Sequence, residues 1–143
     1  MALALLLAAG LLVGASEPSV AAEPFQIVVH SSNPVSALSA QEVSKMFMKK
    51  ISRWQNGKRV VPVDLEERSP VRESFSQNIH GKGTAAIKAY WQRMIFSGRE
   101  VPPPEKDTTE GVLDYVREHD GAIGYVPAGT PLGDGVKSVR LSP

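Results

Sequence analysis

The chain is 143 residues long, 42% hydrophobic and 22% charged, with a formal net charge of +1 at pH 7. That is enough apolar material for one globular domain and excludes a disordered or fibrous chain; a charge so small, with its lysines and arginines scattered, excludes a nucleic-acid groove or an electrostatic membrane patch. The absence of cysteine excludes disulfides, thiolate metal sites and a lipid-modified cysteine.

Ala2 to Val13 is an apolar run broken only by Gly10, followed by small and polar residues and then Val20-Ala21-Ala22. The pattern predicts a signal peptide over residues 1–22 with cleavage before Glu23. The run is short against the roughly 20 residues of a membrane span, and an uncleaved anchor is the alternative. A basic n-region is missing, which leaves two readings open, a start further upstream or a weak signal. Residues 1–22 hold one acidic residue, Glu17, so residues 23–143 carry 16 basic against 14 acidic side chains, or +2. The expected location is periplasmic or secreted.

Phe25, Ile27 and Val29 alternate as a strand that ends at the turn-forming cluster His30-Ser31-Ser32-Asn33-Pro34. Ser39 with Glu42 makes a capping box, Leu38 and Val43 a staple across it, and Val43, Met46 and Phe47 the buried stripe of a helix ending near Lys49 and Lys50. The turn dipeptide Asn56-Gly57 leads into a second strand, Val60 to Leu65, with Val61, Val63 and Leu65 on one face. A central helix is predicted from Pro70 to about His80, with Gly81 as its stop. A third, capped by Thr84 and ended by Gly98, carries Ile87, Tyr90, Trp91, Met94 and Ile95 on an apolar face. Val101-Pro102-Pro103-Pro104 reads as a stiff extended connector. Thr108 or Thr109 starts a fourth helix built on Val112, Leu113, Tyr115 and Val116, Ala122 to Val126 is a short buried strand, and Val139 with Leu141 completes a terminal one. Strands separated by helical segments predict an α/β sandwich, a mixed sheet with helices on both faces, in one domain over 23–143.

The chemistry concentrates where the second strand meets the central helix. Ser69 is a good N-cap, Pro70 suits the first helical position, and Val71, Phe75 and Ile79 recur at helical spacing. Free N–H groups at such a start, with the helix dipole behind them, favour an anion, and Arg68 and Arg72 add two cations and Ser69 a hydroxyl. The plainer reading is a capped helix with solvated arginines. No catalytic set accompanies it. His30, His80 and His119 lie in different elements without metal-ligand spacing, Ser69 lacks a nucleophile-elbow sequence, and Glu66 and Glu67 read as solvated. Gly81-Lys82-Gly83-Thr84 lacks the full phosphate-loop spacing. No metal, no cofactor and no enzymatic activity are expected.

Several segments, in order, resemble the phosphate-binding proteins of periplasmic ABC transporters, within the type II periplasmic-binding-protein fold. Asn33-Pro34-Val35, Leu38-Ser39, Met46-Phe47 and Lys50-Ile51-Ser52-Arg53-Trp54-Gln55-Asn56-Gly57 are similar to that family's helix and its "GKITxWxDG" segment. Ser69-Pro70-Val71-Arg72-Glu73-Ser74-Phe75 stands where the family has its "SGTRExF" phosphate loop, and Gly121-Ala122-Ile123-Gly124-Tyr125-Val126 matches its "GAIGYV" strand. The resemblance covers one of the family's two lobes and implies a single-lobe α/β fold that recognises phosphate or a similar oxyanion without chemistry. The implied anion-binding residues are Ser69, Val71, Arg72 and, more weakly, Arg68. Pro70 in place of the glycine removes a backbone donor and Val71 in place of the threonine removes a hydroxyl, each costing about 1 to 3 kcal/mol if a ligand oxygen then goes unpaired. A one-sided site leaves the anion half hydrated, so weak binding is expected. The alternative is a module that keeps the fold, has lost the anion, and binds a protein partner or itself through the open face.

Overall fold

The computed structural model describes Gly14 and residues 23–143, so the expected signal peptide lies outside the described residues. Five strands form a sheet in the order β2, β7, β1, β6, β3, where β1 is Phe25–His30, β2 Ala37–Ser39, β3 Val61–Pro62, β6 Ala122–Pro127 and β7 Val136–Ser142. β1 runs antiparallel to both β6 and β7, while β2 and β3 join the edges in parallel, which makes the sheet mixed. A separate two-stranded parallel pair joins β4, Asp64–Leu65, to β5, Glu105–Lys106.

Helices cover both faces, because β6 sits near the middle and its residues alternate. On one side α4, Thr109–Glu118, presses so close that a Cβ on Gly124 would stand 2.8 Å from Val112 Cγ1 and 3.0 Å from Val63 Cγ1. On the other, Tyr125 stacks on Phe75 of α2, Pro70–Phe75, at 3.8 Å and 6° between ring planes. Phe47 of α1, Ala40–Phe47, tilts against both rings, and Phe25 meets Phe75 edge-on at 5.5 Å. Aromatic pairs of this geometry add roughly 0.5 to 1.5 kcal/mol beyond simple burial. Val71, Phe75 and Ile79 are all buried, as their spacing predicts.

The capping box of α1 forms as predicted, Ser39 N–H donating to Glu42 at 2.8 Å and Glu42 N–H to Ser39 Oγ at 3.1 Å. Trp54 anchors the 51–57 loop by donating its ring N–H to Gly121 O at 2.9 Å. Four expectations change. The second strand is not one strand: β3 pairs with β6 and β4 with β5, so the chain crosses from one sheet to the other at Val63. The central helix loosens after Phe75 into a π-helical turn, Ser76–His80, before Gly81 stops it at φ 68°. Thr84 is the first residue of α3, Thr84–Phe96, rather than its cap; the Glu73 carboxylate receives its backbone N–H at 3.0 Å. Finally, α3 is less amphipathic than its spacing suggests, since it buries Ile87 and Trp91 but leaves Ile95 52% and Phe96 92% exposed.

Candidate anion site at the start of α2

α2 begins just past the carboxyl end of β4, at the end of the sheet where β6 finishes. Ser69 has extended dihedrals and its Oγ accepts the Arg72 N–H at 3.3 Å. Its own N–H donates to Glu66 O at 3.1 Å, and its carbonyl accepts the Glu73 N–H at 3.1 Å. Pro70 has no N–H. The Val71 amide is therefore the N–H of this first turn left without a partner among the described residues. The Ser69 hydroxyl proton is also free to donate, because the oxygen is used here only as an acceptor.

The two arginines part company. Arg68 is exposed and has no carboxylate partner among the described residues, while its neighbour Glu67 is paired with Lys88 at 3.1 Å. Arg72 does not project from the tip as the resemblance implies. Its guanidinium turns inward, where Nη1 donates to Leu65 O at 2.9 Å and to Glu105 Oε1 at 2.6 Å, and Nη2 lies 3.9 Å from Asp64 Oδ2. The side chain of Arg72 is 8% exposed. The Val71 side chain is buried too, so what that residue offers the surface is its amide.

Beneath the tip is a polar cluster that the sequence reading missed. Tyr125 donates its hydroxyl to Asp64 Oδ1 at 2.7 Å and accepts the Leu65 N–H at 3.2 Å. Burial pushes the Asp64 carboxyl up to about 6, with Arg72 and the Tyr125 hydrogen bond pulling it down less strongly. Arg72 is held above its ordinary value even though burial alone would lower it, because Asp64 and Glu105 surround it. The cluster sets one guanidinium against one buried and one half-exposed carboxylate, so Arg72 has no charge left over for a ligand. Every buried side-chain nitrogen and oxygen among the described residues has a partner.

A groove lies at the opposite end of the sheet. It encloses about 460 Å³ between Asn33–Leu38, Met46 and the Ile51–Asn56 loop, and Ser69 is not part of it. The candidacy of the α2 tip rests on donors and charge, not on enclosure. The three histidines stay apart, as expected: His30 touches Ser32, His80 touches Ser44, and His119 touches the Tyr115 carbonyl. No group of His, Asp or Glu among the described residues could hold a metal ion.

Residues 12–140 match the family model described as the PBP superfamily domain. The chain belongs to the PBP superfamily. No curated protein matches it. Among solved structures, the fold is similar to one from Clostridium perfringens described as a phosphate ABC transporter substrate-binding protein with bound phosphate, at 21% identity and a TM-score of 0.64, covering 82% of this chain and 44% of that one. An ABC-type phosphate transport receptor from Vibrio cholerae gives 19% identity, a TM-score of 0.64, and coverage of 82% and 46%. The PstS protein of Borrelia burgdorferi gives 11%, 0.59, and coverage of 83% and 47%. This PBP superfamily domain thus spans less than half the length of each of these proteins. At these identities the likeness establishes the α/β fold, a single lobe with a mixed sheet and helices on both faces. No helix among the described residues is long and apolar enough to cross a membrane.

Proposed function

We infer that this domain is a solute-binding module, periplasmic or secreted once residues 1–22 are removed, that holds phosphate or a similar oxyanion at the start of α2 without chemical turnover. The carrying observation is the pairing of an unpartnered Val71 N–H with the Ser69 hydroxyl and the unpaired cation of Arg68 at one helix start. The structural neighbours with phosphate in their names support the choice of anion. Arg72 acts from behind in this reading. Its charge is spent on Asp64 and Glu105, and through Nη1 it ties α2 to the Leu65 carbonyl at the end of β4. Because the site is open on one side, water competes for every ligand oxygen and affinity falls in the millimolar range, about 4 kcal/mol of binding. A role in phosphate ABC transport follows only if a second surface completes the site.

Titration calorimetry with phosphate and sulfate tests this directly. Saturable heat that weakens with added salt and is lost in Arg68→Ala and Ser69→Ala supports it; no heat at tens of millimolar anion rejects it.

A second reading has its own observation. Ile95, Phe96 and Val101 expose 52%, 92% and 59% of their surfaces around the end of α3, where a lone monomer gains nothing from showing them to water. A module that binds a protein partner or a second copy through this end would bury them. Sedimentation equilibrium separates the two readings: a strict monomer at high concentration counts against self-association.

A further inference from the structure

At the far end of the helical segment that Ser69 caps, beyond the π turn Ser76–His80, lies a second concave surface that the α2 tip does not use. It encloses about 360 Å³ between the end of α1, the π turn and α3. Lys50, Lys82, Arg93 and His80 line it together with Ser44, over a floor that includes Ile87 and Tyr90, and no carboxylate lines it. None of Lys50, Lys82 and Arg93 takes part in an ion pair among the described residues. Many cations among the described residues are likewise unpaired, so what sets these three apart is that they line one hollow that no carboxylate enters, whereas Lys49 lies 3.5 Å from Glu100 and Lys58 2.7 Å from Asp120. Three unmatched cations converging from three separate segments on one concavity make a focused positive potential.

We propose that the hollow between α1, the π turn and α3 is a binding site for a compact multivalent phosphate, of the pyrophosphate class, held by Lys50, Lys82 and Arg93 with the His80 ring at its wall. Two ammonium groups and one forked guanidinium lining one hollow offer more charge and more donors than a single tetrahedral ion uses, which suits adjacent phosphoryl groups. The site is distinct from the α2 tip and does not rest on it.

His80 reports on the hollow. Its Nδ1 is 2.8 Å from Ser44 Oγ, and its ring meets Phe75 edge-on at 5.6 Å. Burial, Arg72 behind it and Lys82 beside it together hold it down to about 4. Lys50 from the α1 side and Arg93 from α3 are the other cations lining the space, and Tyr90 is its remaining ionisable group. A polyanion seated among them reverses the sign of the local field and favours the imidazolium.

The test is titration of the full chain with inorganic pyrophosphate at fixed ionic strength, together with NMR titration of the His80 ring. The expected result is saturable binding, a rise of about one unit in the His80 pKa on saturation, and about tenfold weaker pyrophosphate binding in Lys82→Ala and in Arg93→Ala. Both side chains are on exposed residues, so these variants keep the fold. Arg68→Ala leaves the pyrophosphate-induced shift of the His80 ring unchanged while removing the phosphate response of the α2 tip, so the two sites fail or succeed separately. Pyrophosphate binding that is lost in Arg68→Ala but not in Arg93→Ala overturns the proposal. So does a His80 titration that pyrophosphate does not move, or no binding at 10 mM, about 3 kcal/mol by the same scale.

Discussion

Arg72 and Asp64 face each other beneath the start of α2, Nη2 to Oδ2 at 3.9 Å, with both side chains nearly out of water. The arginine expected at the surface of an anion site is thus the closing member of an interior cluster. Replacing it tests that placement. Arg72→Ala leaves Asp64 without its cation and Leu65 O without a donor. Removing one partner of a buried pair costs about 3 to 5 kcal/mol, where a solvent-exposed arginine would cost under about 0.5 kcal/mol. The loss is smaller at pH 5 than at pH 7.5, because below about 6 the Asp64 carboxyl takes a proton and no longer needs the guanidinium. Urea denaturation at the two pH values reads the difference.

Tyr125→Phe removes the hydroxyl that bridges Asp64 and the Leu65 N–H while leaving the stack on Phe75 intact. Two buried polar groups lose a partner, so a destabilisation of about 1 to 3 kcal/mol is expected. An unchanged denaturation midpoint would mean that water replaces the hydroxyl.

Two groups give pH dependences of opposite sign. Asp64 is raised in the folded state from 3.8 to about 6, so its contribution is full below pH 3.8 and is lost as pH rises through 6. His80 is lowered from 6.5 to about 4, so folding favours its neutral form, and that contribution is full above pH 6.5 and is lost as pH falls through 4. Between pH 6 and 4 the two oppose each other, each on the order of 2 kcal/mol after allowance for the partial exposure of the imidazole. Removing either exposes the other. His80→Gln becomes more stable on acidification over that window and Asp64→Asn less stable, measured as free energy of unfolding against pH.

Ser69→Ala removes the cap of α2 and costs about 1 kcal/mol of stability. It also removes a hydroxyl donor from the proposed anion site. Thermal melts with and without phosphate separate the two effects: the cap loss lowers both curves equally, while the binding loss shrinks the gap between them.

Much of the fold was legible because it is locally encoded. Ser39 and Glu42 lie three residues apart and cap their own helix, and the Val71, Phe75, Ile79 stripe needs no distant partner to declare itself. The site was legible only in its outline. Alternation along Val60 to Leu65 assigns Asp64 to an outer face, but β4 is covered on both sides, by β5 and by Tyr125, so that both Val63 and Asp64 are buried. Glu105 enters 33 residues after Arg72, beyond the proline connector, and no local pattern says that those prolines deliver a carboxylate to that guanidinium. The direction in which Arg72 points is decided by groups remote in the chain. Its spacing from Ser69 is the same whether it points out or in. β2 and β5 escaped notice for the same reason, being three and two residues long and defined only by what they lie beside.

The placement of β1 bears on how the molecule comes into being. Its neighbours in the sheet are β6 and β7, with Ile27 opposite Tyr125 on one side and Val139 on the other, so this strand is matched only to strands about a hundred residues later in the chain. Closing a loop of such length precedes any gain from those contacts, which makes this a topology of slow maturation. A nascent chain stalled anywhere before Ala122 lacks the strands on which Phe25–His30 settles, and that segment stays open to a chaperone.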